Sequence, residues 1–97
     1  MVKPYTDTIA WQTSSKKIFV RVFDATIDEE LLEWHQDKHD RCVKVVKGTG
    51  WQLQFDNQLP QALSPSGIYL IDKDTHHRIL KGKDDLVLLI IENTIIT

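Results

Sequence analysis

Two short polar segments carry most of the side chains that could do chemistry. One runs from Glu33 to Arg41 and the other from Asp72 to Arg78. In an extended segment, residues two apart project to the same face, so His35 and Asp37 are expected to point together. If a later strand brings His77 alongside, two imidazoles and one carboxylate converge. Such a set binds divalent iron, manganese, nickel or zinc and leaves positions open for a substrate.

The elements that must position these residues are predicted to be strands. Short segments rich in Val, Ile, Phe and Trp recur between turn signals about every ten residues, which is typical of an all-β barrel or sandwich. The predicted strands are Lys17 to Asp24, Glu30 to His35, Arg41 to Lys47, Trp51 to Asp56, Ile68 to Asp72, His76 to Leu80 and Leu86 to Asn93, with a weaker one at Thr8 to Thr13. A helix over Asp28 to His39 is the alternative for the second of them. We favour the strand because the apolar residues there do not sustain a helical stripe.

The last predicted strand indicates that both faces of its sheet are packed against other parts of the structure. Its stretch from Leu86 to Ile91 is apolar on both faces, and an antiparallel strand of a small domain ordinarily needs only one apolar face. A second copy of the chain could supply the cover, so the sequence predicts a homodimer. The alternative is a central strand covered within the monomer by the amino-terminal segment.

Length, charge and composition limit the kinds of protein that this chain can be. The chain has 97 residues and a formal net charge of −2, which fits one small domain over residues 1–97 and gives no basic face for nucleic acid. No apolar stretch approaches the roughly 20 residues that span a bilayer. The start, Met1 to Asp7, lacks the apolar core of a secretory signal, and the single Cys42 excludes an internal disulfide, so we expect a cytoplasmic protein.

The two polar segments fall within motifs that resemble those of the cupin family. The spacing of His35, Asp37, Arg41 and Gly48 is similar to the first cupin motif, G-x5-H-x-H-x3,4-E-x6-G. The segment from Pro65 to Ile79 is similar to the second motif, with His77 at the place of its histidine. The resemblance covers about Glu30 to Glu92, roughly two-thirds of the chain. It implies an antiparallel jelly-roll β-barrel with a small-molecule pocket in its mouth.

Two departures from the first motif bear on the cofactor. Asp37 stands where a second histidine is usual, and Arg41 stands where a glutamate ligand is usual. The resemblance therefore implies His35, Asp37 and His77 as a three-ligand set for a divalent metal (iron, manganese, nickel or zinc). A guanidinium at the glutamate position opposes a cation at close range. We expect Arg41 to turn away from the site, or the metal to be absent.

The same residues support a second interpretation without metal. Arg41 would pair with Asp37, and the pocket would hold a small anion through Arg41 and His77, since a guanidinium fork suits carboxylates and phosphates. Tyr69 is then a weak candidate for an acid that acts beside a histidine base. Fold does not fix function, so an enzyme and a non-catalytic binding or interaction domain both stay open.

Overall fold

A computed structural model describes residues 3–93, and residues 1–2 and 94–97 lie outside the described range. The strands are β1 (Thr6–Gln12), β2 (Lys16–Phe23), β3 (Arg41–Lys47), β4 (Gln52–Phe55), β5 (Gln61–Ala62), β6 (Ile68–Ile71), β7 (His77–Leu80) and β8 (Leu86–Asn93), with a 3₁₀ helix at Glu29–Leu31. The all-β prediction is confirmed. Strands β3 and β8 have the predicted bounds, whereas the short strand β5 lies where no strand was predicted.

The strands form two antiparallel sheets. The large sheet has the order β1-β2-β8-β3-β6, and the small sheet has the order β5-β4-β7. Strand pairing does not close the two sheets into a barrel in the described part of the chain. Sequence neighbours such as β3 and β4 lie in different sheets, as in a jelly roll.

The core lies between the two sheets and follows from strand alternation. Leu86, Leu88 and Ile90 of β8 point inward and are at most 4% exposed. Trp51 and Leu53 meet them from the other sheet, and both are at most 1% exposed. Because a core of this kind admits no alternative register, it fixes which face of each strand looks into the molecule.

The strand predicted at Glu30 to His35 is wrong. Residues Glu29–Leu31 form one turn of 3₁₀ helix, whose N-cap Asp28 accepts a hydrogen bond of 3.0 Å from the Glu30 amide. An aspartate at this position competes for backbone donors and favours a helical turn over an extended strand. His35 then makes only an isolated bridge with His77. After this turn the chain lies beside β7, at the edge of the small sheet.

The glycine that ends the first motif is explained by its backbone. Gly48 follows β3 with φ at +146°, a conformation that residues with a side chain rarely adopt. A Cβ atom at this position would lie 2.7 Å from Leu86 Cδ1. Gly48 thus lets β3 leave the large sheet close to the start of β8.

The outer face of the large sheet is apolar. Val87, Leu89 and Ile91 of β8 are half-buried there, and Ile68 and Leu70 of β6 are 63% and 71% exposed. The amino-terminal segment does not cover β8, because β1 extends the same sheet beside β2. That alternative to a second copy is therefore wrong for the described residues. Within residues 3–93 there is no helix with the length and apolar character to span a membrane.

Candidate functional site

A pair of backbone hydrogen bonds brings the two motifs together. The His35 amide donates to the His77 carbonyl and the His77 amide donates to the His35 carbonyl, both at 3.0 Å. The ring centroids of these histidines lie 4.3 Å apart. Asp37 follows two residues after His35, and its carbonyl accepts from the Asp74 amide at 2.8 Å. One ligand atom from each of His35, Asp37 and His77 lies within 4.8 Å of the others.

The hydrogen bonds of both imidazoles fix their tautomers. His77 Nδ1 lies 2.8 Å from the Thr75 carbonyl and His35 Nδ1 lies 3.1 Å from the Glu33 carbonyl. A carbonyl only accepts, so each Nδ1 carries a proton. In the neutral rings the Nε2 lone pairs are then free to act as ligands. Metal-bound histidines usually have this arrangement, with the second nitrogen donating to a carbonyl.

Both Nε2 atoms face the carboxylate of Asp37. His77 Nε2 lies 3.3 Å from Asp37 Oδ2, and His35 Nε2 lies 3.7 Å from Asp37 Oδ1. The Asp37 side chain is 8% exposed, and its Oδ2 is buried with no hydrogen-bond partner among residues 3–93. Lone pairs on nitrogen and oxygen that face each other repel unless a cation or a proton lies between them. The donor set therefore fits a divalent metal, and a proton on His77 Nε2 donated to Oδ2 is the alternative.

The surroundings favour the ligand forms of two of these groups. Partial burial lowers the pKa of His35, the nearby His77 and Arg41 lower it further, and the Glu33 hydrogen bond and the Asp37 carboxylate act in the opposite direction. Burial on its own would raise the pKa of Asp37, but His77, Arg41 and His35 together hold that pKa below its usual value. At neutral pH, His35 is neutral and Asp37 is a carboxylate, which are the states that bind cations.

Arg41 lies beside this cluster and contacts two carboxylates. Its Nη1 is 3.0 Å from Asp37 Oδ1, and its Nε donates to Glu92 Oε2 at 2.8 Å. Glu92 is the cross-strand neighbour of Arg41 on β8 and is 7% exposed. Arg41 therefore does not turn away from Asp37, as the metal interpretation expected. It uses Oδ1 of Asp37, the oxygen that His35 also faces, and leaves Oδ2 to face His77.

The cluster lies at the polar end of a cavity between the sheets. The cavity has a volume of about 520 Å³, and aliphatic side chains from both sheets make most of its wall. Leu32, Leu53, Ile79 and Leu88 are among them. His35 is 45% exposed at its side chain, so the polar end is open to solvent. A molecule of moderate size could enter beside the cluster.

The three residues expected to bind a ligand separate into two groups. Arg41 and His77 line the cavity, whereas Tyr69 is not among its lining residues. The Tyr69 hydroxyl donates to the Ala62 carbonyl and accepts from the Ser64 amide, both at 2.9 Å. It therefore anchors the loop that carries β5. The candidate role of Tyr69 as an acid has no geometric support.

A second arginine in the cavity wall was not singled out from the sequence. Arg21 of β2 donates through Nε and Nη2 to the two carboxylate oxygens of Asp7, at 2.8 and 2.9 Å. Its Cζ lies 3.6 Å from the centroid of the Tyr5 ring. The signal was available, because an arginine at an inward position of an apolar strand needs a buried partner. Glu92 on β8 carried the same signal.

The comparisons with known proteins show the fold. No model of a known family matches the chain, and no curated protein is significantly similar to it. Solved structures do match. A cupin domain protein from Bordetella pertussis is 16% identical with a TM-score of 0.70, over 96% of this chain and 97% of that one. An RmlC-like cupin from Shewanella frigidimarina is 12% identical with a TM-score of 0.79, over 98% of this chain and 80% of that one.

A third similar structure is a larger protein with a named activity. The DMSP lyase DddQ from Ruegeria pomeroyi is 11% identical with a TM-score of 0.77 over 93% of this chain. This chain spans about half of its length, 47%. The three likenesses confirm the cupin fold that the two motifs predicted.

Proposed function

We propose that this chain, a single domain with the cupin fold, holds a divalent metal at the polar end of its cavity and binds a small molecule beside it. His35, Asp37 and His77 would be the ligands, and the candidate ions are iron, manganese, nickel and zinc. The observation that carries the proposal is the Asp37 carboxylate, whose buried Oδ2 has no hydrogen-bond partner in the described chain and faces His77 Nε2, while its Oδ1 faces His35 Nε2.

The charges around the cluster support a cation despite Arg41. Asp37 and Glu92 bring two negative charges and Arg41 brings one positive charge, so the three together are negative by one. The net charge next to a divalent ion at this position is therefore negative. When bound, such an ion would polarise an oxygen of the small molecule as a Lewis acid.

Elemental analysis of the full chain tests the metal. The protein is incubated with each of the four ions, dialysed and measured by mass spectrometry. We expect close to one ion per chain in the wild type and none in His77→Ala. His76→Ala is the matched control, because His76 is the neighbouring residue but is exposed and stands outside the cluster.

A further variant guards against loss of folding. His77 is buried, so its removal could damage the small sheet, whereas the half-exposed His35 is a safer site. His35→Ala is expected to bind the ion at least about tenfold more weakly, with an unchanged circular dichroism spectrum. A wild-type protein that takes up none of the four ions would contradict the metal site.

The Arg41–Asp37 ion pair of 3.0 Å favours a second candidate function. In it the cavity binds a small anion without metal, through Arg41 and His77, as the metal-free interpretation of the sequence held. The two candidates separate in one measurement, because an anion would then bind to chelator-treated protein as tightly as to metal-loaded protein.

Two predictions from the sequence also stay as proposals. We propose a homodimer through the apolar outer face of the large sheet, where Leu89 lies half-buried on the central strand. Sedimentation at micromolar concentration should give a dimer for the wild type and a monomer for Leu89→Lys; a wild-type monomer of 11.3 kDa would contradict it.

The cytoplasmic location is likewise a proposal, to be checked by fractionation.

A further inference from the structure

We infer that the small molecule of this cavity is mostly apolar and carries a single anionic oxygen group, in the manner of a medium-chain monocarboxylate. The inference rests on the proposed function for the place of that group, which would lie at the His35, Asp37 and His77 cluster. It goes further in naming the class of ligand. Three features of the cavity carry it: its wall, its charges and the uneven exposure of its wall.

The wall away from the cluster is mainly apolar, apart from Arg21, which is the cross-strand neighbour of Leu88. Leu53 and Leu88 line the cavity from opposite sheets, and they are 1% and 4% exposed. Ile79, the cross-strand neighbour of Leu53, and Leu32 also line it and are half-buried. A sugar or polyol placed there would leave its hydroxyl groups without partners, which is unfavourable. An alkyl or aryl group would lose only water contacts, which is favourable.

The cations in the wall are already paired. Both oxygens of Asp7 bind Arg21, and Arg41 binds one oxygen each of Asp37 and Glu92. A second anionic group on the ligand would compete with these carboxylates for the positive charge of the arginines. Lys3 is the remaining lining cation, and it is exposed. A phosphate ester or dicarboxylate therefore gains little from this wall.

The exposure of the wall also differs from place to place. His35, in the cluster, is 45% exposed at its side chain, whereas Leu53 is 1% exposed. An amphiphilic molecule fits in one orientation, with the charged group at the cluster and the apolar part inward. This orientation buries the apolar part and leaves the charged group partly hydrated.

Three eight-carbon or six-carbon acids test the inference by calorimetry on the metal-loaded full chain. Octanoate has one carboxylate and an apolar chain, suberate has a second carboxylate at the far end, and gluconate has one carboxylate on a polyhydroxylated chain. We expect octanoate to bind at least about tenfold more tightly than either of the others, since its chain is the part that the wall buries. Equal or tighter binding of suberate or gluconate would overturn the inference.

A variant in the wall and a control outside it complete the experiment. Leu32→Gln should weaken octanoate binding about fivefold or more by placing an amide in the apolar wall. Leu59→Gln should leave binding unchanged, because Leu59 is 89% exposed and does not line the cavity. An equal loss in both variants, or in neither, would count against the inference.

Metal uptake measured on the same samples separates the two proposals. Protein that takes up the ion but binds no octanoate would overturn the ligand class and leave the metal site standing. Octanoate binding that is unchanged after chelator treatment would support the apolar wall and overturn the placement of the carboxylate at the metal.

Discussion

The two arginines of the cavity wall make opposite uses of similar surroundings. Arg21 and Arg41 both lie on the inner face of the large sheet, and their Cζ atoms are 5.4 and 5.6 Å from the centroid of the same ring, Phe19. Each pairs with carboxylates. Arg21 meets one carboxylate through two hydrogen bonds, whereas Arg41 divides its contacts between Asp37 and Glu92.

Because of this difference, both oxygens of Asp7 are used by its arginine, whereas one oxygen of Asp37 can still bind another group. We call Arg21–Asp7 the complete pair and Arg41–Asp37 the divided pair. Both oxygens of Asp7 are used by Arg21, and the Asp7 side chain is 28% exposed, so water can complete its hydration. Asp37 gives only Oδ1 to its arginine, and at 8% exposure its Oδ2 is closed to water. A bidentate pair therefore stabilises the fold, and a divided pair leaves a ligand atom available.

Removing the carboxylate of the divided pair should have the largest effect. Asp37→Asn keeps the shape of the side chain but removes the negative charge between the two imidazoles. We expect metal affinity to fall at least about 100-fold, because loss of a coordinating carboxylate exceeds the 10- to 100-fold typical of outer-shell partners. Titration with zinc against a competing chelator measures it. Undiminished affinity would show that the cluster does not bind through Asp37.

The matched change in the complete pair should affect stability instead. Asp7→Asn removes one charge-assisted hydrogen bond to Arg21 and leaves the guanidinium partly buried. We expect the free energy of unfolding to fall by about 1–3 kcal/mol, measured by urea denaturation of the metal-free protein. Metal affinity should stay within about twofold of the wild type, since Asp7 contacts none of the three ligands. A loss of metal affinity as large as that of Asp37→Asn would remove the distinction between the pairs.

The sequence predicts the fold better than it predicts the connections. Alternation in β4 and the apolar run of β8 are strong signals, because a one-residue shift would turn every core side chain outward. The segment before His35 has no such constraint. Leu31 and Leu32 suit a strand or a turn equally well, and the Asp28 cap decides for the turn. Local hydrogen bonding here overrides the apolar pattern.

The cluster was predictable as a set but not in its charges. The spacing of His35 and Asp37, with His77 at the end of the second motif, is enough to suggest that they meet. The pairing of Arg41 with Glu92 depends on the register between β3 and β8, which the spacing within a motif does not contain. If Glu92 is not considered, the positive charge of Arg41 is expected to repel a cation at the cluster. With Glu92 beside it, the positive charge is offset.

Glu92 therefore provides the smallest and most specific test of the comparison. Glu92→Gln keeps an oxygen that can accept from Arg41 Nε but removes a negative charge, so the charge of the group changes from minus one to zero. We expect metal affinity to fall about tenfold, as for a unit charge several ångströms from the ion in a partly screened site. The double variant Arg41→Gln with Glu92→Gln restores the charge to minus one and should recover most of that loss, and chelator titration of both variants measures it. If the double variant binds metal no better than Glu92→Gln, Arg41 acts by holding Asp37 in place, and charge compensation is not what makes the divided pair compatible with a cation.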